Sequence, residues 1–86
     1  MLLPQIINEI KDLKTPGHRS CLTIFNLLEN NKTNFLQKMD PDNFNHVHTK
    51  FEQLSESSPK EYNTQDYRDE YERAHSLLMF YLDRIL

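Results

Sequence analysis

A single glycine, Gly17, among 86 residues is the tightest constraint on this chain. Average usage would supply about 7% glycine. Glycine reaches positive φ without steric cost, so one copy leaves little means of making the primed turns of tight hairpins. It also excludes glycine-rich phosphate loops and dinucleotide fingerprints. Helices remain, and here proline marks their starts. Thr15-Pro16, Asp40-Pro41 and Ser58-Pro59 each place a small polar residue, able to accept from free backbone N–H groups, before a proline suited to the first helical position. Ser58-Pro59-Lys60-Glu61 also has the spacing of a capping box, and Pro4 can open a first helix in the same way.

Apolar residues recur at helical spacing behind these starts. A first helix is expected over about 4–14, with Leu3, Ile6, Ile7, Ile10 and Leu13 on one face. A second is expected over about 16–30, with Cys21, Ile24, Phe25 and Leu28 as its stripe. A short helical turn near 33–39 would bury Phe35, Leu36 and Met39. A further helix over about 41–56 carries Phe44, Val47, Phe51 and Leu54. The last, over about 59–85, carries Tyr67, Tyr71, Ala74, Leu78, Tyr81 and Ile85. Asn63-Thr64 compete for the backbone, which makes a start at Thr64 the alternative. No strand-like alternation of useful length occurs. The expectation is an all-α fold: one domain, 1–86, a compact antiparallel bundle of about four helices.

Composition narrows the setting. The lone Cys21 cannot form an internal disulfide, which favours a reducing compartment. Met1-Leu2-Leu3-Pro4-Gln5 lacks the basic and apolar regions of a signal peptide. The longest apolar run, Leu77-Leu78-Met79-Phe80-Tyr81-Leu82, falls far short of the roughly 20 residues that span a bilayer. A cytoplasmic protein with no membrane partner is expected. The formal net charge is -3 and no basic stripe exists, so direct nucleic-acid binding is disfavoured. The acids concentrate at one place: Glu56, Glu61, Asp66, Asp69, Glu70 and Glu72 face only Lys60 and Arg68 over 56–72.

Three constellations carry possible chemistry. Arg68-Asp69 followed by His75, with six residues between the Arg and the His, is similar to the motif of the HEPN family of helical ribonucleases and toxin-like proteins. The resemblance implies a phosphate-holding Arg68 and a His75 that assists proton transfer or stabilises charge. His18 and Cys21, spaced i, i+3, suit zinc by residue type, but His46 and His48 on another helix point to different sides, and no metal is expected. Glu72-Arg73-Ala74-His75 is a single Glu-x-x-His, where a dimetal bundle uses two, and no other cofactor is expected.

The third constellation is the tyrosine set. Tyr62, Tyr67 and Tyr71 alternate with Asp66, Asp69 and Glu70 at the front of the last helix. Tyrosine joins an apolar ring to a polar tip and is enriched at interfaces. This acidic and aromatic surface suggests docking onto a basic surface of a partner protein, steered by charge. The leading expectation is a non-enzymatic interaction module that binds and inhibits or regulates a protein partner through its last helix. Antitoxins, immunity proteins, secretion chaperones and phage-encoded inhibitors are bundles of similar size. A minimal HEPN-like ribonuclease or toxin using Arg68 and His75 is the alternative. A structural homodimer is a further one: residues 77–82 are apolar all round, and Leu77, Met79 and Phe80 would form the face if one side stays uncovered.

Overall fold

Leu2 holds an extended backbone before Pro4, and the first helix, α1, runs Leu3–Asp12 in a computed structural model that describes residues 2–85. Gln5 reaches back, its Oε1 accepting the Leu2 N–H at 3.0 Å. Ile6, Ile7 and Ile10 are buried on one face, which the i, i+1, i+4 spacing dictates. The helix closes without glycine: the Leu13 N–H donates to the Ile10 carbonyl at 3.0 Å.

Helix α2 spans His18–Asn30, two residues later than the Thr15-Pro16 signal predicts. Gly17, extended at φ 166° and ψ 158°, is the N-cap, and the Cys21 N–H makes the first helical bond to its carbonyl at 3.0 Å. Glycine is the poorest helix former after proline, so Pro16-Gly17 delays the start. Nothing lies within 4 Å of the position a Cβ on Gly17 would take. Neither space nor a left-handed backbone therefore demands the one glycine of the chain. Asn31 ends α2, its Nδ2 donating to the Leu27 carbonyl at 2.9 Å. The short α3, Lys32–Leu36, then folds over to bury Phe35.

Helix α4, Pro41–Ser55, begins where its sequence signal places it. Asp40 Oδ1 accepts from the Asp42 and Asn43 N–H groups at 2.8 and 3.4 Å. Phe44, Val47, Phe51 and Leu54 line its buried face. The Ser58-Pro59 signal does not open a helix. Ser58 donates to Glu61 Oε1 at 3.2 Å, so the two side chains bond each other instead of completing a capping box on the backbone. Glu61–Asn63 makes one turn of 3₁₀ helix. Thr64 then caps α5, Gln65–Asp83, its Oγ1 accepting the Tyr67 N–H at 3.2 Å. The extended Thr64 backbone separates the two helical segments, as expected of a residue whose hydroxyl competes for backbone partners.

These five α-helices form an all-α bundle, with no strand among the described residues. Helix α4 lies between α2 and α5, and α3 closes one end against α2 and α4. The Cα radius of gyration is 12.2 Å, against about 12 Å for a compact chain of this length. Along α5 the buried stripe is Tyr67, Tyr71, Ala74, His75, Leu78 and Leu82. Leu82 takes the core position that the spacing assigns to Tyr81, which is half-buried like Ile85. From Leu78, steps of four residues keep one face inward, and Leu82 falls there. Within the apolar run 77–82, Leu78 and Leu82 are buried, Leu77, Met79 and Tyr81 pack half-buried against the core, and Phe80 is exposed, at 51%.

Helix α1 is held by α5 through polar bonds as well as through its isoleucines. His75 Nε2 lies 2.8 Å from the Ile10 carbonyl, and Tyr71 donates its hydroxyl to the Leu13 carbonyl at 2.6 Å. A carbonyl only accepts, so His75 Nε2 carries the proton. Two side chains from the far end of the sequence thus satisfy carbonyls at the C-terminal end of α1, where no glycine cap is present.

Candidate docking surface

The C-terminal turn of α4, the 3₁₀ turn and the first two turns of α5 enclose an open groove of about 380 Å³. Leu54 and Tyr67 reach its floor, Ser57 and Thr64 line its side, and Glu61, Asp66 and Glu70 stand around it. No Lys or Arg lines it. Glu70 is paired with the exposed Arg73 at 2.9 Å, one turn further along α5. Glu61 and Asp66 have no cationic partner among the described residues. The groove therefore combines a small apolar floor with uncompensated negative charge.

The residues singled out from the sequence separate here. Asp66 and Glu70 are exposed beside the groove. Asp69 is partly exposed, accepts from Gln65 Nε2 at 2.9 Å, and faces a second hollow with Glu72, Arg73, Ser76 and Leu77. Tyr62 is half-buried between the rings of His18 and Tyr67, at centroid distances of 4.7 and 5.1 Å. Tyr67 and Tyr71 belong to the core, at 4% and 0% exposure: Tyr71 offers no docking face, and Tyr67 shows only the small part that reaches the groove floor. The reason is periodicity: i, i+4 neighbours share a helix face, and this face meets α4 and α1. Leu54, Ser57, Glu61 and Thr64 are the groove residues absent from the expected set. Glu61 is legible as part of the acidic run, whereas Leu54 reads only as core until α4 meets α5.

Tyr67 and Tyr71 differ in one respect. The Tyr71 hydroxyl has the Leu13 carbonyl, while the Tyr67 hydroxyl is buried without a protein partner. The neighbouring Cys21 thiol directs its single hydrogen to the Phe51 carbonyl at 3.4 Å. Burial pushes the Cys21 thiol up to about 11. Burial likewise pushes Tyr71 up to about 12 and Tyr67 beyond the usual phenol range. A thiol held protonated is a poor nucleophile. Removing an unpaired buried hydroxyl relieves a desolvation cost, whereas removing a paired one strands its acceptor. Tyr67→Phe is therefore expected to leave stability unchanged or raise it by about 1 kcal/mol, and Tyr71→Phe to lower it by about 1–2 kcal/mol. Urea unfolding of the two variants measures this, and equal losses would mean that Tyr67 has a partner after all.

The other constellations are placed as follows. His75 is 8% exposed, bonded to α1 and stacked on Tyr71 at 6.3 Å, while Arg68, two turns earlier on α5, is exposed. The protonated nitrogen of His75 is thus engaged by a carbonyl, and the Arg and His do not share one open surface. His18 lies tilted against the Tyr62 ring at the surface, whereas Cys21 is fully buried. His48 packs between Phe25 and Phe44 and meets Glu29 across α2 and α4, and His46 is exposed. Among the described residues, no three His, Cys, Asp or Glu side chains gather as a metal site would require. No helix among them is long and apolar enough to cross a membrane.

The fold and surface define a small all-α bundle with an acidic groove at one end of its longest helix. No family model, no curated protein and no solved structure matches the chain.

Proposed function

We propose that this protein is a non-enzymatic interaction module that binds, and by binding regulates, a protein partner through a basic segment seated in the α4–α5 groove. The observation that carries the reading is the groove itself: Leu54 and Tyr67 below, Glu61, Asp66 and Glu70 around, and no cation among its lining residues. A Lys or Arg side chain suits such a site, laying its aliphatic stem on the apolar floor and its charged head among the carboxylates. The surrounding negative charge over 56–72 adds steering on approach.

The test uses synthetic peptides, one bearing spaced Lys and Arg residues and one with the same residues replaced by Gln. Isothermal titration is expected to detect the basic peptide, with affinity falling as salt rises. Glu61→Lys and Asp66→Lys are each expected to weaken it about fivefold or more. Asp69→Lys, which lies outside the groove, is expected to have a smaller effect. Equal affinity for the two peptides, or no loss in either groove variant, would sink the reading.

A further inference from the structure

The acidic groove has a neighbour of opposite charge. A second hollow, of about 190 Å³, lies along the same pair of helices, with Ala74 and Leu77 as its apolar part and Lys50, Glu70 and Arg73 around it. Glu70 lines both hollows, so the two adjoin. Within the second hollow Glu70 and Arg73 offset each other at 2.9 Å. Asp69 and Glu72 line a different hollow and are absent from this one. Lys50 is half-buried and has no ion pair among the described residues. Its neighbours one turn away on α4, His46, Val47, Gln53 and Leu54, include no carboxylate. The cleft as a whole therefore holds the unpaired carboxylates Glu61 and Asp66 in its first part and the unpaired ammonium of Lys50 in its second.

We propose that Lys50 reads a carboxylate on the segment that the groove binds, so that the ligand is a dipolar segment with an acidic side chain two positions from a basic one. This rests on the groove reading given above and narrows the ligand it takes. The spacing follows from chain geometry. Leu54, on the floor of the first hollow, and Lys50 are four residues apart on α4, about 6 Å along the helix. An extended segment rises about 3.3 Å per residue and turns alternate side chains to one face. A basic side chain seated over Leu54 and Tyr67 therefore places the side chain two positions along it over Ala74 and Leu77, beside Lys50. A carboxylate there meets the one cation of the cleft that lacks a partner. A second cation there meets Lys50 and Arg73, which oppose it. The acids of the groove attract any basic segment, whereas Lys50 discriminates among them.

Three peptides test this, alike except at the position two residues from a central Lys, which is Glu, Gln or Lys. Isothermal titration against the full chain is expected to rank them in that order of falling affinity. The step from Glu to Gln is expected to be about twofold to fivefold, the range of an exposed ion pair. Lys50→Gln is expected to bind the Glu and Gln peptides equally, and Lys50→Glu to prefer the Lys peptide to the Glu peptide. Glu61→Lys is expected to weaken all three and to keep their order. Far-UV circular dichroism checks that each variant keeps its helices. Equal affinity of the wild-type chain for the Glu and Gln peptides, or a preference for Glu that survives Lys50→Gln, would overturn the role of Lys50 and leave the groove reading standing. Failure of all three peptides to bind would overturn both.

Discussion

Phe51→Ala is expected to lower the free energy of unfolding by about 3–5 kcal/mol, the usual loss for a large aromatic removed from a close-packed core. A domain of this length holds about 4–13 kcal/mol in total, so the variant is expected to be marginal or unfolded at room temperature. Phe51 has no exposed surface and sits on α4, the helix that lies between α2 and α5. Its ring meets Tyr71 edge-on at 5.9 Å, and its carbonyl receives the Cys21 thiol. The cavity would therefore open where three helices meet, and the surrounding groups are too constrained to close it. Urea unfolding followed by circular dichroism measures the loss. A change under about 1 kcal/mol would mean that the core collapses onto the space, contrary to close packing. Leu22→Ala, on a side chain 36% exposed, serves as the control and is expected to cost far less.

The second large effect is loss of the fold in alkali. Cys21 goes from an ordinary 9.0 to about 11 on burial, Tyr71 from 10.0 to about 12, and Tyr67 further in the same direction. In each case the folded chain holds its proton more tightly than the unfolded one. At neutral pH all three are protonated in both states, and the stability they contribute is fully present. Above pH 9 the unfolded chain begins to release the Cys21 proton, and above pH 10 the tyrosine protons, while the folded chain keeps them. The unfolded state then binds fewer protons, so stability falls as pH rises through this window. The melting temperature is expected to be flat up to about pH 9 and to drop steeply between about pH 9 and pH 12. Tyrosinate absorbance from Tyr67 and Tyr71 is expected to appear together with the loss of helix. Cys21→Ala removes the earliest part of the fall, because its release begins lowest. A melting temperature that stays level through pH 11, or full tyrosine ionisation in a still-helical protein, would contradict the linkage.

The helices were legible where the deciding interaction is local. Asp40-Pro41 opens α4 because Asp40 bonds N–H groups two and three residues away, and no distant residue takes part. The same two-letter signal at Thr15-Pro16 and Ser58-Pro59 does not begin a helix. In the first, Gly17 follows and extends the backbone; in the second, Thr64 offers a better cap after the 3₁₀ turn. Both competitors are visible in the sequence, but their ranking depends on how far each linker must travel between packed helices. The acidic and aromatic reading of the last helix was half legible. Its carboxylates are at the surface, and the same spacing that separates Tyr67 from Tyr71 by four residues turns both rings inward.

What the sequence determined by itself is the class of structure: a chain with one glycine, proline-marked starts and helical apolar spacing can bury its core only as packed helices. It also determined which side chains form most of that core, because periodicity assigns faces before any helix meets another. Only the tertiary structure decided that His75 and Tyr71 would bind α1 through its terminal carbonyls, 65 and 58 residues away. Only it decided that Leu54 of α4 would come beneath the carboxylates of α5 to make a groove. Periodicity is a property of one helix, whereas these features depend on how two helices are placed against each other, and that placement follows from the packing of the whole core.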